Sequence, residues 1–268
     1  MVTRRIVVFR FHRNPLVCRA RIRLLRRLNP GVPIVGLYGG RRGFRRACFR
    51  LGSRTVLGLD SFYASRRSGH WSWQHGDLAI AAWYRDVGRR LDFDVAHLVE
   101  WDLLLLAPLD HLYRDIDPSA VGLTAYTPLS EVGEQWEWLR LPELRIETEQ
   151  LFRQARERWG YRGEPHACIG VGPCFPRAFL DEYAALEAPE LGHDEVRLPL
   201  FAAILGYRLV DTGFRRSWHE EEDDPFFNAS GQAVETAAVL AELRRPGGRR
   251  AFHPVRQIIA EVEVRCDQ

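Results

Sequence analysis

Lysine is absent from this chain of 268 residues: all 38 basic side chains are arginine. The P-loop signature, which needs a lysine against the phosphates, is therefore missing, and so are GxSxG, HExxH and GxGxxG. These gaps remove the usual NTPase, hydrolase, zincin and dinucleotide-fold readings. Long apolar runs are also missing. None approaches the roughly 18 to 20 residues needed to span a bilayer, and MVTRRIVVFRFHRNP is broken by arginine too early to form the apolar region of a signal peptide. A cytoplasmic protein is expected. The five cysteines, Cys18, Cys48, Cys168, Cys174 and Cys266, are odd in number and form no CxxC pair. Reduced thiols are expected, informing compartment rather than chemistry.

Charge of either sign is not in large excess. The net charge of +3 argues against a nucleic-acid partner, and no nucleic-acid module is visible. Arg4 to Arg54 is locally basic, which leaves a polyanion or peripheral contact with an anionic membrane surface open. An arginine-favouring composition explains the missing lysine most simply, although the planar guanidinium fork also matches phosphate better than an ammonium does.

At 46% hydrophobic, the chain can bury a full core, and one large α/β domain is expected. Arg5–Phe11 (RIVVFRF) reads as a strand. The turn His12-Arg13-Asn14-Pro15 leads into a helix whose apolar positions Val17, Ala20, Leu24 and Leu28 recur at three- and four-residue steps. Pro33–Tyr38 and Thr55–Leu59 read as further strands, the second ending at Asp60. Ser61–Gln74 reads as loop and His75–Leu91 as a helix. Val95–Val99 and Val121–Thr127 are strands, and Glu147–Trp159 is an amphipathic helix. Gly163–Pro176 is too rich in Gly and Pro for a helix. Helices follow at Arg177–Leu186 and from Asp194 to about Leu205, then a strand at Tyr207–Asp211. The polar, acidic stretch from Arg215 to Gly231 reads as a loop. Strand–helix alternation predicts a mostly parallel sheet flanked by helices.

The segment DVAHLVEWDLLLLAPL, Asp94 to Leu109, carries the strongest chemical signal. A buried strand there would bring Glu100 and Asp102 to its carboxyl end, where ligands bind in open α/β sheets. Side chains two apart on extended backbone point the same way, and paired oxygen ligands suit a hard divalent ion that bridges phosphates. The ExD pattern, its preceding strand and the following apolar run resemble the DxD motif of metal-dependent glycosyltransferases with the GT-A fold. That resemblance implies a single Rossmann-type GT-A domain, with residues 1–109 as the nucleotide-binding half and 110–268 as the acceptor half and tail. It also implies Mn²⁺ or Mg²⁺, a nucleoside diphosphate sugar donor and a hydroxyl acceptor.

Residue by residue, the resemblance implies metal ligands at Glu100, Asp102 and His253, the last from FHPVRQ in the tail. Glu100 departs from the more usual Asp. Nucleotide contacts are implied at Phe11 and Arg13 in the first turn, at Asp60 and Asp77, and at Arg256 against the diphosphate. A general base is implied at Asp194 or Glu195, which favours inversion. Each has a plain rival: Asp77 as a first-turn acid offsetting the helix dipole, Asp194 and Glu195 as capping chemistry, His253 as a packing residue. Trp71, Trp73, Trp136 and Trp138 could stack on sugar but read first as packing. Two other functional readings stay open: a catalytically silent nucleotide-sugar or glycan-binding domain, and a sugar-phosphate nucleotidyltransferase, whose Gly-rich basic loop is missing.

Overall fold

The structure, a computed structural model, describes residues 3–41, 43–67, 69–132, 136–215 and 224–259. Cys266, part of the Arg215–Gly231 stretch and part of the loop before Leu144 lie outside them. The strands are β1 (Arg5–Phe11), β2 (Ile34–Tyr38), β3 (Ser61–Ala64), β4 (Val95–Glu100), β5 (Leu104–Leu105), β6 (Val121–Pro128), β7 (His166–Pro176), β8 (Leu209–Asp211) and β9 (Ala251–Phe252). The helices that frame the sheet are α1 (Pro15–Leu28), α2 (Phe44–Gly52), α3 (Gly69–Gln74) and α4 (Gly76–Asp86), then α5 (Pro142–Trp159), α6 (Arg177–Leu186) and α7 (Asp194–Ile204).

Seven strands form one sheet in the order β3-β2-β1-β4-β7-β6-β8. β1 pairs parallel with β2 and β4, β2 with β3, and β6 with β8, whereas β7 runs antiparallel to both its neighbours. This is the mostly parallel α/β sheet that the strand–helix alternation predicts. The continuous apolar runs follow from burial on both faces. Along β1, Ile6 and Val8 enter the core shared with α4, α5, α6 and α7. Val7, Phe9 and Phe11 enter the opposite core with Val17, Cys18, Ile22 and Leu25 of α1. That period of two is the pleat itself.

Two expectations fail around β3. Thr55–Leu59 is not a strand: Ser53–Leu57 forms a single π-helical turn after α2, and the strand begins at Ser61. A five-residue apolar run fits a helical turn as well as a strand, and only tertiary pairing decides. Ser61–Gln74 is correspondingly not loop but β3 followed by α3. The Gly- and Pro-rich segment is the long strand β7, whose bulged pairing with β6 absorbs its irregular residues.

Packing also fastens the C-terminal segment. β9 pairs antiparallel with β5, the Val255 amide donates to the Asp102 carbonyl at 2.8 Å, and buried Arg21 of α1 donates to the carbonyls of Val255 and Gln257 at 3.0 Å each. Cys18, Cys48, Cys168 and Cys174 are free. Among the described residues no helix is long and apolar enough to cross a membrane.

Candidate functional site

The chain leaves β1 toward β2 and β3 on one side, then crosses back through α4 to β4 on the other side of β1. Such a reversal opens a crevice at the carboxyl ends of the two central strands, the general ligand position of open α/β sheets. In register, Arg10 of β1 lies opposite Glu100 of β4. The residues just beyond the two strand ends are His12 and Arg13 after β1 and Trp101 and Asp102 after β4. The Arg13 guanidinium lies 4.9 Å from the Trp101 ring centroid, a cation–π contact.

Asp102 and His253 meet across this crevice. His253 Nε2 stands 3.7 Å from Asp102 Oδ1, with both side chains largely covered. His253 Nδ1 lies 2.8 Å from the Asn228 carbonyl, which can only accept, so the ring proton sits on Nδ1 and the Nε2 lone pair faces the carboxylate. Burial lowers the His253 pKa, against the opposing pull of Asp102, so the ring is neutral near pH 7. Two electron-pair donors directed at a shared space, one oriented by a backbone carbonyl, could hold a divalent cation. The tail is held there by β9 and by Arg21. Arg256 Nε lies 3.9 Å from Asp102 Oδ2 on a side chain that remains substantially exposed.

Glu100 is not directed at that pair. Its Oε1 faces Arg10 Nη2 at 3.2 Å, and its Oε2 accepts from the Gly172 amide at 3.1 Å. Burial raises its pKa to about 7, with Asp102 adding to the rise and Arg10 and the Gly172 amide opposing it. Among the described residues no three His, Cys, Asp or Glu side chains cluster as a ready metal cage. Any ion at Asp102 and His253 would complete its shell with water or ligand oxygens, as Mg²⁺ commonly does when it binds substrate phosphates.

Arg10 also links the crevice to α7. Its Nη1 is 3.8 Å from Asp194 Oδ2, and that oxygen accepts from the Gly76 amide at the start of α4 at 2.9 Å. Two helix N-termini thus converge on one carboxylate. A Cβ at position 76 would stand 1.8 Å from Arg10 Nη1 and 2.6 Å from Asp194 Oδ2, so a side chain there would displace the ends of both. His193, preceding α7, places Nδ1 2.8 Å from Asp194 Oδ1 and 3.3 Å from the Glu195 amide. The Glu195 amide donates to this Nδ1 as the cap of α7, and the Asp194 contact is an ion pair when the ring is protonated. Burial alone would lower the His193 pKa and raise that of Asp194, but their mutual attraction outweighs it, so His193 is raised and Asp194 lowered. Glu195 accepts from the Gly170 amide at 3.0 Å and the Trp138 indole at 2.6 Å, and burial raises its pKa. Trp138 stacks on His193 with centroids 3.9 Å apart.

Three expected site residues lie elsewhere. Asp60 precedes β3, at the amino edge of the sheet, where it accepts from the Ile34 amide and pairs with Arg26. The shifted strand boundary carried it to the opposite end from the crevice. Asp77 is buried in an ion pair with Arg197 of α7, whose Nε donates to it at 2.8 Å, and it also accepts from the Tyr183 hydroxyl. Phe11 is fully buried between Phe9, Tyr38, Phe49 and Phe62, because its parity along β1 matches Val7 and Phe9. Asp77 and Phe11 are buried, and Asp60, though exposed, lies at the far end of the sheet from the crevice. Sequence reasoning missed Arg10 as the central cation and Arg21 as the tail clamp. The signal for the first was a charged residue next to the end of the apolar run RIVVFRF, in the turn expected to hold the nucleotide.

No protein-family model and no curated protein matches the chain. Among solved structures it is similar to core-mannan synthase A of Aspergillus fumigatus in its Mn/GDP form, at 11% identity and a TM-score of 0.43, covering 78% of this chain and 73% of that one. It is similar to the galactosyltransferase LgtC in complex with donor and acceptor sugar analogues, at 11% identity and a TM-score of 0.41, covering 81% and 80%. It is also similar to the mannosyltransferase PcManGT of Pyrobaculum calidifontis in complex with GDP-Man and Mn²⁺, at 14% identity and a TM-score of 0.44, covering 79% of this chain and 55% of that one.

Proposed function

We propose that this protein is a GT-A-type, metal-dependent glycosyltransferase that moves a sugar from a nucleoside diphosphate sugar to a hydroxyl acceptor. One observation carries the reading: the neutral His253 Nε2 and the Asp102 carboxylate face each other 3.7 Å apart in the crevice where β1 and β4 end. Asp102 and His253 would hold Mn²⁺ or Mg²⁺. An imidazole beside a carboxylate suits Mn²⁺ better than a purely oxygen site does. When bound, the ion supplies a Lewis acid for the negative charge of a leaving diphosphate.

The remaining roles belong to the chain's own side chains. Arg256 and Arg13 stand where their guanidinium forks can meet diphosphate oxygens. Glu100 anchors Arg10, and Arg10 positions Asp194, so Glu100 acts through Arg10 and is not assigned as a direct metal ligand. Glu195 and Asp194 are the candidates for accepting the acceptor's hydroxyl proton, and since the oxygens of both are already engaged, Asp194 leads only by its ionisation. Its lowered pKa keeps it ionised but makes it a modest base, and inversion is the stereochemical outcome proposed.

A second reading, a catalytically silent nucleotide-sugar-binding domain, is favoured by that same engagement of Asp194 with His193, Gly76 and Arg10. Turnover separates them. Incubation with nucleotide sugars and Mn²⁺ should release nucleoside diphosphate from a transferase, and nothing from a binder. A nucleotidyltransferase would instead release pyrophosphate when given nucleoside triphosphate and sugar phosphate. Loss of release in Asp194→Asn, with donor binding intact, would support the base assignment.

A further inference from the structure

The charge of this chain is segregated by sequence. Fifteen arginines precede Asp60, and no Asp or Glu does, so every carboxylate that could neutralise them must come from elsewhere in the fold. Some arginines find one: Arg4, Arg5, Arg10 and Arg26 pair with acids from other elements. Arg13, Arg23 and Arg50 are exposed, and Arg19 and Arg46 half-buried. None of these five pairs with a carboxylate among the described residues.

The same region exposes large apolar side chains, as the chain does elsewhere at Trp73, Ile146 and Ile258. Leu51 is 83% exposed, Leu16 67% and Val56 50%. Val56 lines one groove of about 560 Å³ between the first turn of α1 and the end of α2, together with Arg13, Pro15, Cys48, Phe49 and Leu57, and Leu16 and Leu51 are chain neighbours of its lining residues Pro15 and Gly52. A single exposed leucine needs no explanation. Three apolar side chains beside one apolar groove, with Arg13 in its lining, further arginines and no acid on either helix, form a surface that water alone does not favour. Phe49 is buried and anchors α2 to the core, so the exposed side of that helix is held outward rather than collapsed.

We propose that this face docks on an anionic phospholipid bilayer, with Leu16, Leu51 and Val56 entering the boundary between headgroups and acyl chains and the arginines reaching lipid phosphates. Arginine suits both layers, because its stem packs against apolar groups while the guanidinium reaches phosphate. Basic residues near a negative membrane surface and apolar side chains at its interface reinforce each other in this mode of binding. Arg13 lines the groove and also covers Trp101, so a bilayer held there meets the mouth of the crevice. Docking at this face does not depend on the donor-site reading.

The test is co-sedimentation of the full chain with vesicles of phosphatidylcholine alone and of phosphatidylcholine with about 30 mol% phosphatidylglycerol, at low and high salt. Two variants accompany it, Leu51→Ser/Val56→Ser and Arg46→Gln/Arg50→Gln, each checked for unchanged thermal unfolding. The expected result is binding to the anionic vesicles only, weakened by salt and weakened at least about tenfold in both variants. Equal partition onto both vesicle types would overturn the proposal, and the wild-type chain alone can give that answer. So would anionic binding that disappears in the arginine variant, is competed fully by heparin or RNA and is untouched in Leu51→Ser/Val56→Ser, since that pattern describes a polyanion surface without membrane insertion.

Discussion

Asp102 and Asp77 are both carboxylates expected at the site from the sequence, yet their surroundings assign them opposite work. Asp102 faces a histidine lone pair at the rim of the crevice, whereas Asp77 is saturated by Arg197 and Tyr183 in a dry interior. Asp77→Ala should therefore destabilise the fold by about 3–5 kcal/mol in denaturant unfolding, because it leaves a buried guanidinium unpaired. Asp60→Asn touches only a surface pair and one amide bond and should cost about 1 kcal/mol, with nucleotide binding unchanged. Gly76→Ala should weaken stability by about 1–3 kcal/mol through overpacking and disturb the Arg10–Asp194 contact. An unchanged unfolding midpoint in Gly76→Ala would contradict the close approach drawn between α4 and α7.

At the scale of elements, β1, β4 and β6 were legible because continuous apolar runs can only be buried, and α1 because its apolar positions keep helical spacing. The carboxyl end of β4, and with it Glu100 and Asp102, followed directly. Pairing between distant segments was hidden. Nothing local tells that β9 returns to β5 and sets His253 beside Asp102, or that Arg197 reaches Asp77. The π-helical turn at Ser53–Leu57 carried a strand-like composition, and that error alone displaced Asp60. Phe11 was a different kind of miss, since its alternation with Val7 and Phe9 was readable. The tail clamp gives a test at this scale. Arg21→Met removes the donors to the Val255 and Gln257 carbonyls, and should lower stability by about 1–3 kcal/mol and weaken Mn²⁺-dependent nucleotide binding together. Loss of stability without loss of metal-dependent binding would detach the tail's position from the site.

Across the whole molecule, buried neutral histidines couple stability to pH. Burial lowers His75 to about 4, with Arg197 adding to the fall, and burial with Arg5 nearby takes His97 well below its ordinary value. In each case the folded pKa lies below the unfolded one, near 6.5, so the unfolded chain takes up the proton first as pH falls. Their contribution is complete above about pH 6.5 and is lost on acidification, for His75 down to about pH 4. The expected loss from His75 is on the order of 2–3 kcal/mol. Urea unfolding of wild type and His75→Gln at pH 7 and pH 4.5 should show a smaller acid loss in the variant, and an equal loss in both would remove His75 from the account.

The central claim is that Asp102 and His253 form the protein half of a cation site that engages a nucleoside diphosphate. Thermal unfolding with a panel of nucleoside diphosphates, each with and without Mn²⁺, addresses it most directly, because a ligand bound only by the folded state raises the midpoint by mass action. The account predicts stabilisation by at least one diphosphate that requires the metal and disappears in Asp102→Asn and His253→Ala. Stabilisation that persists in both variants, or no response to any diphosphate with Mn²⁺ present, would contradict it.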